Sequence, residues 1–181
     1  DVLRGGGCLG IFPEGTSQTA RRVQPLKTGT ARIALEAEQK SDFTLGLSIV
    51  PVGLSFQSRR RFRSRVLVRF GKPIPVANYR QLFEADPVQA ARAITTVLED
   101  AIRHQVVDVR QADLEGFVRK VERVYKHELR ERPGLEVPGL SRFERDQFLA
   151  REIARASDYF YANPPETICG VADLLGEYQR R

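Results

Sequence analysis

The residues best suited to chemistry lie near the start of the 181-residue chain. Phe12-Pro13-Glu14-Gly15-Thr16-Ser17 follows a short apolar run and sets a carboxylate, two hydroxyls and a glycine on a tight turn. Read blandly, this is strand-ending punctuation, because Pro-x-Gly closes many strands. Eleven residues past Thr16, however, Lys27-Thr28-Gly29 opens a helical pattern, so a cation and free backbone N–H groups face the same sheet edge. A phosphate suits that combination, since a helix N-terminus and an ammonium group both stabilise an anion. Open α/β sheets also take their ligands at the carboxyl ends of their strands. Cys8 and Cys169 are too few for a disulfide framework or a metal cluster; they fit a reducing compartment, and no metal site is expected. His104 and His127 fall in a helical region and are expected on its surface.

The hydrophobic pattern indicates the elements that would position this loop. Residues 8–12, an apolar run between glycines and Pro13, read as a buried strand. Residues 28–40 read as a helix with Ala31, Ala34, Leu35 and Glu38 on one stripe and Thr28 as its N-cap. Residues 47–56 and 65–70 read as two more strands joined by an arginine-rich turn, with Pro51 where an interior ladder would avoid it. Strand, loop, helix, strand predicts an α/β fold: a partial mixed sheet, partly parallel, with flanking helices.

After Pro75 the pattern becomes all-helical. Val88, Ala91, Thr95, Leu98, Ile102 and Val106 form one stripe; Leu114, Phe117, Val121, Val124 and Glu128 form a second behind a cap at Asp113. Ser141 and Glu144 have the form of a capping box, opening a helix with Phe148, Leu149, Ile153, Ala156 and Phe160 on one side. A last helix is expected after Pro164-Pro165, with Ile168, Val171, Leu175 and Tyr178 on one side, and residues 131–140 read as the loop between the two helical pairs. The chain is accordingly divided into 1–80 and a helical extension, 81–181.

Charge follows the same division. Residues 1–80 hold 14 Lys and Arg against 5 Asp and Glu, whereas residues 81–181 hold 15 against 18. An anionic partner would bind the basic half. Arg59, Arg60, Arg61, Arg63 and Arg65 concentrate that charge in the turn between the last two strands, with Phe56 and Phe62 beside them. Such a turn is either solvated or attracted to anionic lipid headgroups, each cation contributing on the order of 1 kcal/mol near a membrane surface. It matches no RNP or helix-turn-helix pattern, so a nucleic-acid partner is not expected. No run approaches the ~18 apolar residues that would mark a membrane span. With no Met and with Asp1 first, the chain is expected to begin inside a larger protein.

In order and spacing these blocks resemble the glycerol-3-phosphate and lysophosphatidic acid acyltransferase family. Phe12-Pro13-Glu14-Gly15-Thr16-Ser17 is similar to its third block, and Ile49-Val50-Pro51-Val52-Gly53-Leu54 to its fourth. Leu26-Lys27-Thr28-Gly29 and Phe70-Gly71-Lys72-Pro73 resemble the family as well. The resemblance covers roughly residues 3–76, and the helical tail resembles the carboxyl-terminal extension of a longer bacterial and fungal branch.

The resemblance implies transfer of a fatty acyl group from acyl-CoA or acyl carrier protein to glycerol-3-phosphate or 1-acylglycerol-3-phosphate. The thioester is a co-substrate, and no cofactor is implied. Glu14, Gly15, Thr16 and Ser17 become acceptor-site residues. Where many members carry an arginine this chain has Ser17, so Lys27 is the replacement cation, ahead of Arg21 and Arg22. Val50, Pro51 and Val52 fall on the acyl-donor side, and Arg59, Arg60, Arg61 and Arg63 on the membrane surface, at the cytoplasmic face. The family's base, a His separated from an Asp by four residues, is absent: His104 and His127 are followed at that spacing by Val109 and Arg132. The base and the second block, with its phosphate-binding arginine, are expected upstream of Asp1. The alternative is a non-enzymatic lipid-surface or interaction module using residues 59–65.

Overall fold

The structure is a computed structural model describing residues 2–16, 20–58, 61–131 and 139–162, with backbone only for 125–131. It separates into two compact units, Asp1–Leu54 with Val68–Gln105, and Ser55–Leu67 with Val106–Arg181. The 80/81 division drawn from composition falls inside the first of them.

In the first unit α1 (Gly29–Gln39) buries Ala31, Ala34, Leu35 and Glu38, the stripe that its spacing predicts. The glutamate belongs there because its carboxylate accepts the N–H groups of Leu45 and Leu47, fastening the chain where it turns back from the helix. Leu47 leads into β1 (Ser48–Ile49), which pairs antiparallel with β4 (Ile74–Pro75), Ile49 opposite Ile74. A 3-10 turn (Val76–Tyr79), α2 (Arg80–Ala85) and α3 (Pro87–Gln105) follow; Val76, Phe83, Ala90 and Ile94 close over Ala31 and Leu35 as one apolar core. The α3 start is capped by Asp86, whose carboxylate accepts the N–H groups of Val88 and Gln89.

β2 (Val52–Phe56) and β3 (Val66–Phe70) form a hairpin. At one end Gly71 N–H donates to Pro51 C=O (2.8 Å), and at the other Gln57 N–H donates to Arg65 C=O (2.9 Å), the pattern of antiparallel strands. In the second unit α4 (Leu114–Glu131) packs on α5 (Arg142–Ala162) around Val109, Leu114, Val118 and Ala154. The capping box is present at α5: Ser141 N–H donates to Glu144 Oε2 at 2.7 Å, and Glu144 N–H to Ser141 Oγ at 3.4 Å.

The mixture of helices and small sheet agrees with the α/β class in its coarse form, and several expectations need correction. Residues 47–56 are two short strands, because Pro51 has no N–H to donate and interrupts the ladder. Both strand pairs among the described residues are antiparallel, so the partly parallel sheet is not observed. Residues 8–12 form no strand; no described strand pairs with them, and Phe12 is 81% exposed. Thr28 occupies the N-cap position of α1 in helical geometry, and its hydroxyl makes no capping bond. On α3, Val88 is exposed and the helix ends at Gln105, short of Val106. On α5 the buried face is Phe143, Ala150, Arg151, Ala154 and Ser157, with Phe148 and Phe160 exposed. The buried face is thus shifted from the expected one, with Ala154 at the α4 contact and Ile153 packed partly buried beside it. The helix expected after Pro164 lies outside the described residues, as does most of the 131–140 loop.

Candidate active site

Phe12-Pro13-Glu14-Gly15 forms a β-turn closed by Gly15 N–H donating to Phe12 C=O at 3.2 Å. Proline at the second position suits such a turn, and Gly15, at φ +67°, takes the left-handed conformation that side chains resist. The turn is fastened to the segment ahead of α1. Lys27 N–H donates to Pro13 C=O at 2.9 Å, and Gln24 N–H donates to Glu14 Oε2 at 3.3 Å.

The Lys27 side chain then folds over the turn. Its Nζ lies 2.7 Å, and its Cε 3.0 Å, from where a Cβ on residue 15 would sit. Glycine is therefore needed twice here, for the backbone conformation and for the space that the lysine occupies. The result is an exposed concentration of one ammonium group over a backbone turn, with the Thr16 hydroxyl beside it in sequence. Chemically, this arrangement can hold a small anion at the loop, with the Lys27 ammonium as donor.

The structure thus brings together Glu14, Gly15 and Lys27 of the expected acceptor-site residues. Thr16 is exposed at the end of the turn, Ser17 lies outside the described residues, and Arg22 is exposed on the intervening loop. Val50 and Val52 are exposed, whereas Pro51 is fully buried at the junction of β1 and β2. Gly53, in the same block, is required by close approach: a Cβ there would meet Gln105 Cβ at 2.5 Å and its carbonyl carbon at 2.9 Å. At the hairpin tip Arg61 and Arg63 are exposed, Arg63 at φ +56°, and Phe62 is 91% exposed. Arg59 and Arg60 lie outside the described residues.

His104 is exposed, and its ring Nδ1 donates to the Asp100 carbonyl one turn earlier on α3 at 2.6 Å. Cys8 is free and exposed, and no metal-binding group occurs among the described residues. Sequence reasoning missed Glu99 and Arg103 on α3. Glu99 Oε1 accepts Arg103 Nη2 at 2.6 Å, and Oε2 accepts the N–H of Leu26, next to Lys27, at 3.1 Å. Burial pushes the Glu99 carboxyl up, but the Arg103 and Leu26 hydrogen bonds outweigh it and hold the group below the usual glutamate range. The acid-base pair at i,i+4 is visible in the sequence; its link to a residue 73 positions away is not.

Residues 1–55, which contain the turn, Lys27, α1 and β1, match the acyltransferase family model. In these residues the chain is similar to the acyltransferase family. It is 30% identical over 127 residues to glycerol-3-phosphate O-acyltransferase 2 of Saccharomyces cerevisiae, an alignment covering 70% of this chain and 17% of the relative. It is 30% identical over 170 residues, 92% of the chain and 21% of the relative, to glycerol-3-phosphate O-acyltransferase 1 of the same yeast. An uncharacterized acyltransferase of Schizosaccharomyces pombe is 32% identical over 124 residues, 67% of the chain and 18% of the relative. The chain therefore spans about a fifth of the length of these curated relatives. No solved structure matches it.

Proposed function

We propose that this chain is part of a glycerophospholipid O-acyltransferase and that the Glu14-Gly15 turn with Lys27 holds the phosphate of a glycerol-3-phosphate or 1-acylglycerol-3-phosphate acceptor. The observation that carries this reading is the Lys27 ammonium lodged against Gly15, on a loop that resembles the family's third block and lies within the residues matching the family model. In the reaction a base removes the proton of an acceptor hydroxyl, the oxygen adds to the thioester carbonyl of acyl-CoA or acyl carrier protein, and the C–S bond breaks to release the thiol. We assign the base to a part of the protein outside these 181 residues, since neither histidine has the required aspartate. Val50 and Val52 would face the acyl donor. In this reading residues 1–80 complete the acyltransferase domain and 81–181 form a helical extension.

The hairpin supports an anionic membrane surface as partner, with the protein at the cytoplasmic face, peripheral or anchored by segments outside this chain. Arg61 and Arg63 flank the exposed Phe62 at its tip, and the register sets Val52, Leu54, Phe56, Val66, Val68 and Phe70 on one partly exposed face. Among the described residues no helix is long and apolar enough to cross a membrane.

The test is acyl transfer by the full-length protein that carries this chain, supplied with a labelled acyl thioester and glycerol-3-phosphate or its 1-acyl derivative. Turnover is expected with a phosphorylated acceptor and not with the 181-residue segment alone, since a general base is worth about 10² to 10⁴ in rate. Turnover by the segment alone would mean that the base has been misplaced.

A further inference from the structure

Glu99 lies on α3, beyond the residues that match the family model and outside every block that carries the resemblance. It nevertheless reaches the segment that presents Lys27. That segment is attached at four points: Val23 is buried, Gln24 N–H is held by Glu14, Leu26 N–H by Glu99, and Lys27 N–H by Pro13 C=O. The Gln24 and Lys27 bonds tie it to the turn, and the Leu26 bond ties it to a helix. The helix is the rigid partner, since Ile94 and Leu98 of α3 are buried beneath it. Arg103, one turn further on, takes the other Glu99 oxygen and fixes the rotamer of the carboxylate.

We infer that Glu99, oriented by Arg103, is a positioning residue for acceptor binding: its hydrogen bond to Leu26 sets the register of Lys27 over Gly15. This rests on the reading of Lys27 as the phosphate-binding cation. Without Glu99 the segment is hydrogen-bonded only to the turn, through Gln24 and Lys27, and loses its link to α3, so the lysine stem leaving residue 27 is held less tightly over Gly15. A shift of about 1 Å in such a group can cost as much as a hundredfold.

The experiment uses the full-length protein and four variants: Glu99→Ala, Glu99→Gln, Arg103→Ala and Lys27→Ala. Glutamine keeps an oxygen for the Leu26 N–H, but its amide nitrogen cannot accept from Arg103, so Glu99→Gln should match Arg103→Ala in acceptor KM. Glu99→Ala should raise the KM for the phosphorylated acceptor on the order of tenfold, a fraction of that limit, with kcat and the KM for the acyl thioester little changed. Arg103→Ala should fall between. Amide hydrogen exchange of a peptide containing Leu26 should be fastest in Glu99→Ala and less affected in Glu99→Gln, which retains an acceptor for the Leu26 N–H. Unchanged exchange in Glu99→Ala, or faster exchange with wild-type acceptor KM, overturns the inference. Lys27→Ala identifies what has failed: if it alone raises acceptor KM, only the positioning role of Glu99 is lost, and if neither variant does, the Lys27 reading fails with it.

Discussion

Gly15→Ala offers a quantitative test of the turn, because its two consequences separate. At φ +67° an alanine is strained by roughly 1 to 2 kcal/mol, the usual penalty of the left-handed region, and the variant should lose stability by about that amount. The new methyl would also stand 2.7 Å from Lys27 Nζ and 3.3 Å from its Cδ, well inside van der Waals contact. The lysine end is flexible, so it swings aside at little cost to folding, and in doing so it leaves the site. Acceptor affinity should then fall as though the ammonium had been removed, by about 1.5 to 3 kcal/mol, the size of a charged hydrogen bond. The assay is a double-mutant cycle in the full-length protein: acceptor KM for Gly15→Ala, Lys27→Ala and both together, with urea unfolding of each. We expect the double variant to bind acceptor about as poorly as the worse single one, a strongly non-additive result, while the stability loss of Gly15→Ala persists. Additive KM effects would refute the idea that Gly15 acts by making room for Lys27.

Glu38→Ala should destabilise the first unit by about 2 to 5 kcal/mol, because two partly buried N–H groups, those of Leu45 and Leu47, lose their charged acceptor; Glu38→Gln should cost less, and urea midpoints decide. In the capping box, the Ser141 hydroxyl and N–H hold the Glu144 carboxyl below the usual glutamate range. The folded form therefore binds this proton less tightly than the unfolded chain, and the stabilisation is present above the usual glutamate pKa and lost as pH falls through the folded value. Glu144→Gln should flatten that acid limb in helicity measurements. Replacing Arg59, Arg60 and Arg61 together should weaken binding to anionic liposomes in a salt-dependent way and leave the acceptor KM nearly unchanged.

The parts that the sequence conveyed are those governed by local pattern. The α1 stripe, the Ser141-Glu144 box and the β2-β3 hairpin each depend on spacing within one element, and each is present. Residues 8–12 were misjudged because an apolar run signals burial without saying what does the burying. The buried face of α5 has a related origin: hydrophobicity favours Phe148 and Phe160, yet the face that is buried carries Ala150, Arg151, Ala154 and Ser157, a choice set by tertiary packing. At the site, Glu14, Gly15 and Lys27 were legible from the third block and the cation after it. What joins them was not, since the Glu99 contact to Leu26 depends on how α3 returns across the core. Gly53 shows the same limit: its block marks it, but the reason, the close approach of Gln105, is tertiary.

The most direct measurement is the KM for glycerol-3-phosphate of the full-length protein with Lys27→Ala, set beside its KM for the acyl thioester. A lysine that holds the acceptor's phosphate should, when removed, raise the first by about 10- to 150-fold, the equivalent of 1.5 to 3 kcal/mol, and leave the second unchanged. An unchanged acceptor KM, or an equal rise in both, would contradict the assignment of the Glu14-Gly15 turn and Lys27 as the acceptor-phosphate site.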